Sequence, residues 1–170
     1  MYSKVKKKIN LNTVQLFIFD FDGVLTDNFV YINSDGQELV KCSRADGLAF
    51  NFLKKNKIRV IILSTEKNRV VSKRAKKLRV ECIQGVENKL KKIMEICSKS
   101  NISYKNTCYV GNDLNDYYAM LKCEYRICPS DAHKKIKNIS NIKLKTKGGE
   151  GVAREIIEDI CRIKLLETMI

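Results

Sequence analysis

Two carboxylates stand directly after the first strongly apolar stretch of the chain. Asp20 and Asp22 follow residues 15–19, and Gly23 comes next. A chain that leaves a buried strand and turns at a glycine can direct both carboxylates into one crevice, since glycine accepts a turn without a Cβ clash. Paired carboxylates in such a place are suited to nucleophilic attack, proton transfer or cation binding.

Polar side chains also follow the next three apolar stretches, residues 58–63, 80–83 and 107–110. In chain order they are Ser64 and Thr65, then Lys89, then Asn112, Asp113 and Asp116. Acids drawn together repel one another unless a cation lies among them, and ligands that are all oxygen favour Mg²⁺ over zinc. A magnesium ion, an ammonium group and a hydroxyl group at one point would suit a bound phosphate group.

The hydrophobic pattern explains how residues so far apart in the chain could meet. Apolar runs typical of buried strands alternate with stretches of helical period, which predicts an α/β fold with a parallel central sheet covered on both faces. Ligands of such sheets bind beyond the carboxyl ends of the strands. The predicted strands are residues 15–19, 58–63, 80–83, 107–110, 125–128 and 142–144. The predicted helices are residues 47–55, 68–78, 87–97, 114–121 and 151–163, with a short helix capped by Ser130 and ending at residue 136. A β-hairpin at about 28–42 follows the first strand.

Composition places the chain among globular proteins and sets limits on its class. It has 170 residues, of which 44% are hydrophobic and 31% charged, so we expect one domain over residues 1–170 with no need for disulfide bonds. The longest aliphatic run, residues 60–63, is too short to span a membrane. No apolar stretch typical of a signal peptide precedes it, so a cytoplasmic location is expected. Seven scattered cysteines without a CxxC pair indicate reduced thiols.

The charge balance is strongly basic and admits more than one interpretation. Thirty-three lysines and arginines face 19 acids, which gives a net charge of +14. Nucleic acid, an anionic surface or an acidic small substrate could each explain it. The lysine clusters at residues 4–8, 54–57, 89–92 and 134–137 are not interleaved with aromatic residues as in a single-strand-binding face, so nucleic acid is disfavoured. A solvated surface of compositional origin is the simplest interpretation.

The motifs together resemble those of the haloacid dehalogenase (HAD) superfamily of phosphohydrolases. The first is Asp20-x-Asp22-Gly23-Val24-Leu25-Thr26, and Ser64, Lys89 and Gly111-Asn112-Asp113 stand as the second, third and fourth. The resemblance implies a three-layer Rossmann-like fold and a two-step reaction. Asp20 would be the nucleophile, and Asp22 the general acid and base. Ser64 and Lys89 would bind the phosphate.

The resemblance also implies Mg²⁺ as the cofactor. The ion would be held by Asp20, the backbone carbonyl of Asp22 and a carboxylate of the fourth motif. Asn112 departs from the common pattern, in which an acid stands at this position. We therefore assign the metal contact to Asp113 and supporting roles to Asn112 and Asp116.

Spacing points to a capless member of the superfamily. The segments between Asp20 and Ser64 and between Ser64 and Lys89 are too short to hold a cap domain beyond the predicted elements. Together with the hairpin and the glycine-rich segment 148–155, this resembles the tetrameric phosphatases of sugar-acid phosphates. Those enzymes act on 3-deoxy-octulosonate 8-phosphate or on N-acylneuraminate and deaminoneuraminate 9-phosphates. The resemblance implies a homotetramer in which hairpins surround the axis and a neighbouring subunit borders each site.

Four residues bear on the substrate. Thr65 and Glu66 follow the second motif, where the eight-carbon enzymes tend to carry Gly-Arg and the nine-carbon enzymes resemble Gly-Glu. Glutamate at this position would accept hydrogen bonds from hydroxyl or amine groups, whereas arginine would pair with a carboxylate. Lys77 could then bind the sugar-acid carboxylate, and Arg74 could reach a neighbouring site. Thr65 fits neither pattern, so both sugar classes remain open.

Two other functions are compatible with the same sequence. A phosphatase acting on nucleic-acid ends would keep the site and use the basic surface. A noncatalytic regulatory or assembly module would keep the motifs only as a metal-binding remnant. The sugar-acid phosphatase is the leading hypothesis.

Overall fold

A computed structural model describes residues 8–169, so most of the first lysine cluster, residues 4–8, lies outside the described part of the chain. A six-stranded, wholly parallel sheet forms the centre, in the order β5-β4-β1-β6-β7-β8. Its strands are β1 (Leu16–Phe19), β4 (Arg59–Leu63), β5 (Glu81–Ile83), β6 (Thr107–Val110), β7 (Tyr125–Cys128) and β8 (Ile142–Lys143). The predicted parallel α/β fold is confirmed.

In the described part of the chain, six α-helices connect and cover the strands. They are α1 (Asp46–Lys55), α2 (Arg69–Leu78), α3 (Lys89–Ser100), α4 (Tyr117–Lys122), α5 (Lys134–Ile139) and α6 (Val152–Glu155). Short 3₁₀ turns occur at Tyr104–Asn106, Leu114–Asp116 and Leu165–Met169. The strands β2 (Tyr31–Ile32) and β3 (Glu38–Leu39) pair antiparallel and form the predicted hairpin outside the main sheet.

Alternate side chains of each strand enter two separate cores, one on each face of the sheet. Phe17 and Phe19 of β1 lie in the first core, and Leu16 and Ile18 lie in the second. All four are fully buried, as expected for a strand covered on both faces. The three layers implied by the resemblance are therefore present.

The predicted helix 87–97 is α3 at Lys89–Ser100, and the predicted helix 114–121 is a 3₁₀ turn followed by α4. Two further predictions differ in the capping residue or in the helix type. Ser130 does not cap the short helix; the His133 side chain accepts a hydrogen bond from the Lys135 N–H, and α5 extends to Ile139. The single predicted helix over residues 151–163 is α6 followed by a π-helical turn at Ile156–Ile160. Hydrophobic periodicity places a helix but does not distinguish α from π turns, because both bury a similar apolar face.

All seven cysteine thiols are unpaired, as predicted. No helix within residues 8–169 is long and apolar enough to cross a lipid bilayer.

Candidate active site

The site lies where the direction of strand order reverses, between β1 and β6. From β1 the chain adds β4 and β5 on one side, and then returns to add β6, β7 and β8 on the other. Such a switch point opens a crevice at the carboxyl ends of the strands. Phe19 pairs with Val110 in register, and the Asp20 N–H donates to the Val110 carbonyl at 2.9 Å. The residues after β1 and β6 are thus held side by side.

Lys89 lies between two carboxylates at the base of this crevice. Its Nζ is 2.7 Å from Asp20 Oδ1 and 2.7 Å from Asp116 Oδ1. The lysine is only 2% exposed. Burial lowers the pKa of Lys89, but Asp20 and Asp116 together outweigh that effect and raise the pKa above its usual value. The ammonium group therefore stays charged in the interior.

Both carboxylate oxygens of Asp116 bind groups of the protein itself. Its Oδ1 also accepts from the Tyr109 hydroxyl at 2.8 Å, and its Oδ2 accepts from the backbone N–H groups of Asn112 at 2.9 Å and Asp113 at 3.3 Å. The side chain is fully buried. Asp116 thus fixes the position of Lys89 and of the loop after β6, and its supporting role in the site stays a prediction.

Asp20 carries the chemical signature of a carboxylate that needs a cation. Its Oδ1 contacts Lys89 and accepts from the Phe21 N–H at 2.7 Å. Burial and the neighbouring Asp116 raise the pKa of Asp20 well above its usual value, with Lys89 opposing them. One ammonium group shared with Asp116 does not fully compensate two buried carboxylates, so an additional positive charge would favour the ionised form of Asp20.

Asp22 is only partly buried and differs from Asp20 in its surroundings. Burial and the nearby Glu66 raise the pKa of Asp22 above its usual value, whereas Lys89 and a hydrogen bond with Thr26 act in the opposite direction. A carboxyl group that keeps its proton to higher pH is suited to donate that proton to a leaving group.

Asn112 provides an oxygen that lacks a partner in the protein. Within residues 8–169, its Oδ1 is buried and accepts no hydrogen bond. Gly23 makes room for this amide: a Cβ at Gly23 would lie 1.9 Å from Asn112 Nδ2. A buried oxygen without a partner is costly unless a ligand satisfies it. An amide oxygen beside carboxylates is also a ligand that Mg²⁺ accepts, so the residues present fit a magnesium ion.

Asp113 is less suited to the metal contact that we predicted for it. It lines the same cavity but is exposed, and its Oδ1 already accepts from the Leu114 N–H at 2.7 Å. In the described part of the chain, no three His, Cys, Asp or Glu side chains form a metal-binding cluster. A cation here would have to use amide and backbone oxygens as well, which favours Asn112 over Asp113. Both side chains line the cavity, and the metal contact assigned to Asp113 stays a prediction.

The end of β4 presents a hydroxyl group and a tight loop. Ser64 is buried, and its Oγ accepts from the Glu66 N–H at 3.0 Å, which leaves its own proton available to a ligand. Thr65 lines the cavity. Glu66 Oε1 accepts from the N–H groups of Lys67 and Asn68 at 2.6 and 2.7 Å. These bonds fix the Glu66 side chain through Oε1 alone. The Glu66 charge also raises the pKa of Asp22, so the two carboxyl groups are neighbours.

Arg74 and Lys77 lie farther along α2 and do not line the cavity. Arg74 donates to the Ser43 carbonyl at 2.7 Å. Lys77 is exposed in the last turn of the helix, about 13 Å along the axis from the cap residue Asn68. Within one subunit these two cations are not brought to the site, and their roles in substrate binding remain predictions.

The crevice encloses a cavity of about 300 Å³. Its lining combines five of the predicted residues with three that sequence analysis did not name, and in full comprises Asp20, Asp22, Asn28, Thr65, Asn112, Asp113, Leu114 and Asn115. The predicted residues Ser64, Glu66 and Lys89 do not line it. Asn28 and Asn115 were missed because each stands in a polar loop where asparagine is common for local reasons. Only the fold shows that these loops border one cavity.

A parallel sheet with a buried lysine and carboxylates at its switch point is typical of α/β enzymes that act on anionic substrates. Residues 31–156 match the family model described as haloacid dehalogenase-like hydrolase. The chain belongs to this family.

Individual proteins that resemble this chain include phosphatases of one sugar-acid phosphate. The chain is 31% identical over 146 residues to the 3-deoxy-D-manno-octulosonate 8-phosphate phosphatase KdsC of Escherichia coli strain K12, covering 85% of this chain and 78% of that protein. A structure from Streptomyces avermitilis, described as a hydrolase of the HAD family, superposes with a TM-score of 0.91 at 32% identity and covers 95% of this chain and 92% of the other. The 3-deoxy-D-manno-octulosonate 8-phosphate phosphatase of Moraxella catarrhalis, solved with magnesium, phosphate and KDO, gives a TM-score of 0.85 at 29% identity, covering 89% and 88%.

Proposed function

We propose that this chain is a Mg²⁺-dependent phosphomonoesterase that removes the terminal phosphate from an acidic eight- or nine-carbon sugar through an aspartyl-phosphate intermediate. The observation that carries the proposal is Lys89 Nζ at 2.7 Å from Asp20, with both groups buried at the switch point of the sheet. Similarity to phosphatases of 3-deoxy-D-manno-octulosonate 8-phosphate supports the class of substrate.

The reaction divides between the two carboxylates of the loop after β1. Asp20 attacks the phosphorus atom, and the bond from phosphorus to the sugar oxygen breaks as Asp22 donates a proton to that oxygen. Asp22, now ionised, removes a proton from the water that attacks the phosphorus of the aspartyl-phosphate. This second attack releases inorganic phosphate and regenerates Asp20. The raised pKa of Asp22 supports its service as the acid in the first step.

Positive charge and hydrogen bonds position the phosphate for this attack. Lys89 would neutralise a phosphate oxygen, and the Ser64 hydroxyl would donate to another. Asp20, the backbone carbonyl of Asp22 and Asn112 Oδ1 would hold Mg²⁺, with Asp113 at the exposed edge of the site. When bound, Mg²⁺ supplies further charge neutralisation to the phosphate and keeps Asp20 ionised.

The length of the sugar depends on the loop after β4. Glu66 stands where an arginine would pair with a substrate carboxylate, and its free oxygen can accept from a hydroxyl or amine group. This favours the nine-carbon 9-phosphates, whereas the named relatives act on the eight-carbon sugar. Arg74 and Lys77 would contribute to carboxylate binding from a neighbouring subunit.

An assembly of identical subunits would complete the open site. The hairpin β2–β3 exposes a set of large apolar side chains, namely Phe29, Val30, Tyr31, Ile32 and Leu39. An apolar surface of this kind favours burial against another protein. We propose a homotetramer built on the hairpins, located in the cytoplasm where sugar phosphates are made and used.

Phosphate release tests the function directly. The wild-type chain should release phosphate from 3-deoxy-octulosonate 8-phosphate or from a neuraminate-type 9-phosphate, and EDTA should abolish the reaction. Asp20→Asn removes the nucleophile with little change in shape, so turnover should fall by about 10⁴-fold or more. Asp159→Asn, at an exposed position in the π-helical turn Ile156–Ile160, removes a carboxylate that does not line the cavity and should retain the wild-type rate.

The alternatives make different predictions in the same assay. A nucleic-acid-end phosphatase would prefer a phosphorylated oligonucleotide, and its substrate binding would weaken steeply as salt is raised. A noncatalytic module would bind Mg²⁺ without releasing phosphate from any substrate. Wild-type turnover by Asp20→Asn would contradict the proposed mechanism.

A further inference from the structure

Asn28 lines the active-site cavity in a backbone conformation that asparagine tolerates and most residues do not. Its φ is +66°, in the left-handed region. Glycine would occupy this conformation at lower cost, and asparagine is one of the few residues with a side chain that accepts it. Residues with a strained backbone cluster at functional sites, so the side chain of Asn28 is a candidate for contact with a ligand.

Hydrogen bonds within the loop after β1 fix the position of Asn28. Thr26 is fully buried, and its Oγ1 accepts from the Gly23 N–H at 3.1 Å and from the Asn28 N–H at 3.2 Å. Thr26 thereby ties Asn28 to the turn that follows Asp22. The position of the amide is set by the same turn that carries the two reacting carboxylates.

The side chain of Asn28 lies on the same side of Gly23 as that of Asn112, the asparagine of the fourth motif. A Cβ at Gly23 would be 3.2 Å from Asn28 Cγ and 1.9 Å from Asn112 Nδ2. The two amides therefore pack against the same glycine. Asn112 is buried at the base of the cavity, whereas Asn28 is exposed at its mouth.

Within residues 8–169, the exposed side-chain amide of Asn28 forms no hydrogen bond with the protein, although its backbone N–H donates to Thr26. Asp22, which protonates the oxygen of the leaving group, lines the same cavity. The carbon that bears this oxygen must point outward from Asp22 towards the mouth, because Lys89 and Asp116 close the base. A sugar chain leaving the cavity passes Asn28, whose amide offers both a donor and an acceptor.

We propose that Asn28 is a specificity-determining residue whose amide binds a hydroxyl group of the sugar chain close to the phosphate-bearing carbon. This role rests on the proposed function and adds a contact to the substrate's sugar. A hydroxyl can accept from the amide N–H₂ and donate to its oxygen, so the pair would favour polyhydroxylated phosphate esters over apolar ones. Esters without neighbouring hydroxyl groups would leave the amide unpaired.

Asn28→Gly tests this contact with little risk to the fold, because glycine accepts the observed φ freely. The kcat/KM is measured for the better of the two sugar-acid phosphates and for p-nitrophenyl phosphate, which has no sugar hydroxyls. Preference for the sugar over the aryl ester should fall by about tenfold, the expected effect of losing one good hydrogen bond in a site. The loss should fall mainly on KM for the sugar.

Asn101→Gly is the matched control. Asn101 also has a left-handed backbone, with φ of +51°, but caps the end of α3 and does not line the cavity. This variant should keep the wild-type preference, and the melting temperatures of both variants establish that they fold.

The outcomes separate this role from the proposed function. If the wild-type chain hydrolyses the sugar phosphate and Asn28→Gly keeps its preference, the role of Asn28 is refuted while the function stands. Equal losses on both esters would also refute it, because they would assign Asn28 to the phosphate. Absence of phosphate release from every ester by the wild-type chain would overturn the function, and this role with it.

Discussion

At the scale of single residues, the site depends on three charges that burial alone would oppose. Asp20, Lys89 and Asp116 are each at most 4% exposed, and the carboxylates outnumber the ammonium group. The attraction within a buried ion pair offsets little more than the cost of removing both charges from water, so we expect this arrangement to add little to stability. We attribute its presence to the proposed chemistry. Its effect is to hold a charged lysine beside a carboxylate whose full ionisation calls for one more cation.

Asp46 is a second buried carboxylate, and it serves the fold. Its Oδ1 accepts from the Ala153 N–H at 2.8 Å, which joins the start of α1 to the start of α6. Burial raises the pKa of Asp46 from 3.8 to about 6, although backbone hydrogen bonds from Ala153 and Arg154 oppose this. Because the folded state holds the proton to higher pH than the unfolded state, stability is lost as the pH rises from about 4 through 6.

Asp46→Asn should remove this loss. The amide keeps an oxygen for the Ala153 N–H and carries no charge. The variant should therefore match the wild-type free energy of unfolding near pH 4 and exceed it by up to about 3 kcal/mol at pH 7.5. Urea denaturation at the two pH values measures the difference. Asp35→Asn, on the exposed hairpin, controls for the loss of one negative charge, and a pH-independent difference for Asp46→Asn would contradict the assignment.

At the scale of elements, the loop before α6 braces the loop after β1. The Gly149 N–H donates to the Val24 carbonyl at 3.0 Å. A Cβ at Gly148 would lie 2.3 Å from the Gly23 carbonyl oxygen, and one at Gly149 would lie 2.5 Å from the Asp27 nitrogen. Backbone therefore packs directly on backbone, and the glycine run is more than a turn before the last helix.

Gly149→Ala should lower the free energy of unfolding by more than the positive φ of this residue alone explains. Gly149 and Gly36 have nearly the same φ, +72° and +75°, but nothing lies within 4 Å of a Cβ at Gly36. Gly36→Ala should therefore lower the free energy of unfolding by about 1–2 kcal/mol, because alanine disfavours a positive φ. Gly149→Ala should lower it by about 1–3 kcal/mol more, because its Cβ clashes with the backbone. Chemical denaturation measures both variants. Equal losses of stability in the two variants would contradict this, because they would mean that the loop before α6 can move away from the loop after β1 without loss of stability.

The sequence predicted the strands better than the ends of the helices. Every strand of the main sheet coincides with a predicted apolar run, because burial on both faces requires unbroken apolar sequence. The cap at His133 was missed, since Ser130 is the better cap by type and only the β7–α5 loop geometry decides between them.

Within the site, residue type and spacing indicated Asp20, Asp22, Ser64 and Lys89, and the fold brings Asp20 and Lys89 into contact. The fourth motif was harder to interpret. Asp113 and Asp116 are chemically equivalent in sequence, and only their burial distinguishes an exposed edge residue from the partner of Lys89. Asn112 and Asn28 are uncharged, so residue type alone did not indicate a role in the site. Their positions beside Gly23 follow from the fold.

At the scale of the whole molecule, the exposed apolar side chains of the hairpin have no packing partner within one described chain. Phe29 is 70% exposed and Ile32 is 68% exposed, in a protein that buries most of its large apolar side chains in two cores. Hairpins of this size are marginal alone and need a packing partner. Contact between copies of the chain would supply it.

Phe29→Ser combined with Ile32→Ser should convert the proposed tetramer into smaller species, because it removes two apolar contacts per subunit. Static light scattering at micromolar concentration measures the mass. Leu166→Ser, at another apolar residue that is 78% exposed, is the control and should leave the assembly intact. A monomeric wild-type protein would contradict the tetramer.

The burial of Lys89 has a practical consequence in a chain so rich in amines. Reagents that acylate lysine require an accessible, neutral nitrogen, and Lys89 offers neither, being enclosed and held in its protonated form. Coupling through the abundant surface amines, whether to a resin, a fluorophore or a sensor chip, would therefore spare the lysine that the proposed mechanism uses to bind phosphate.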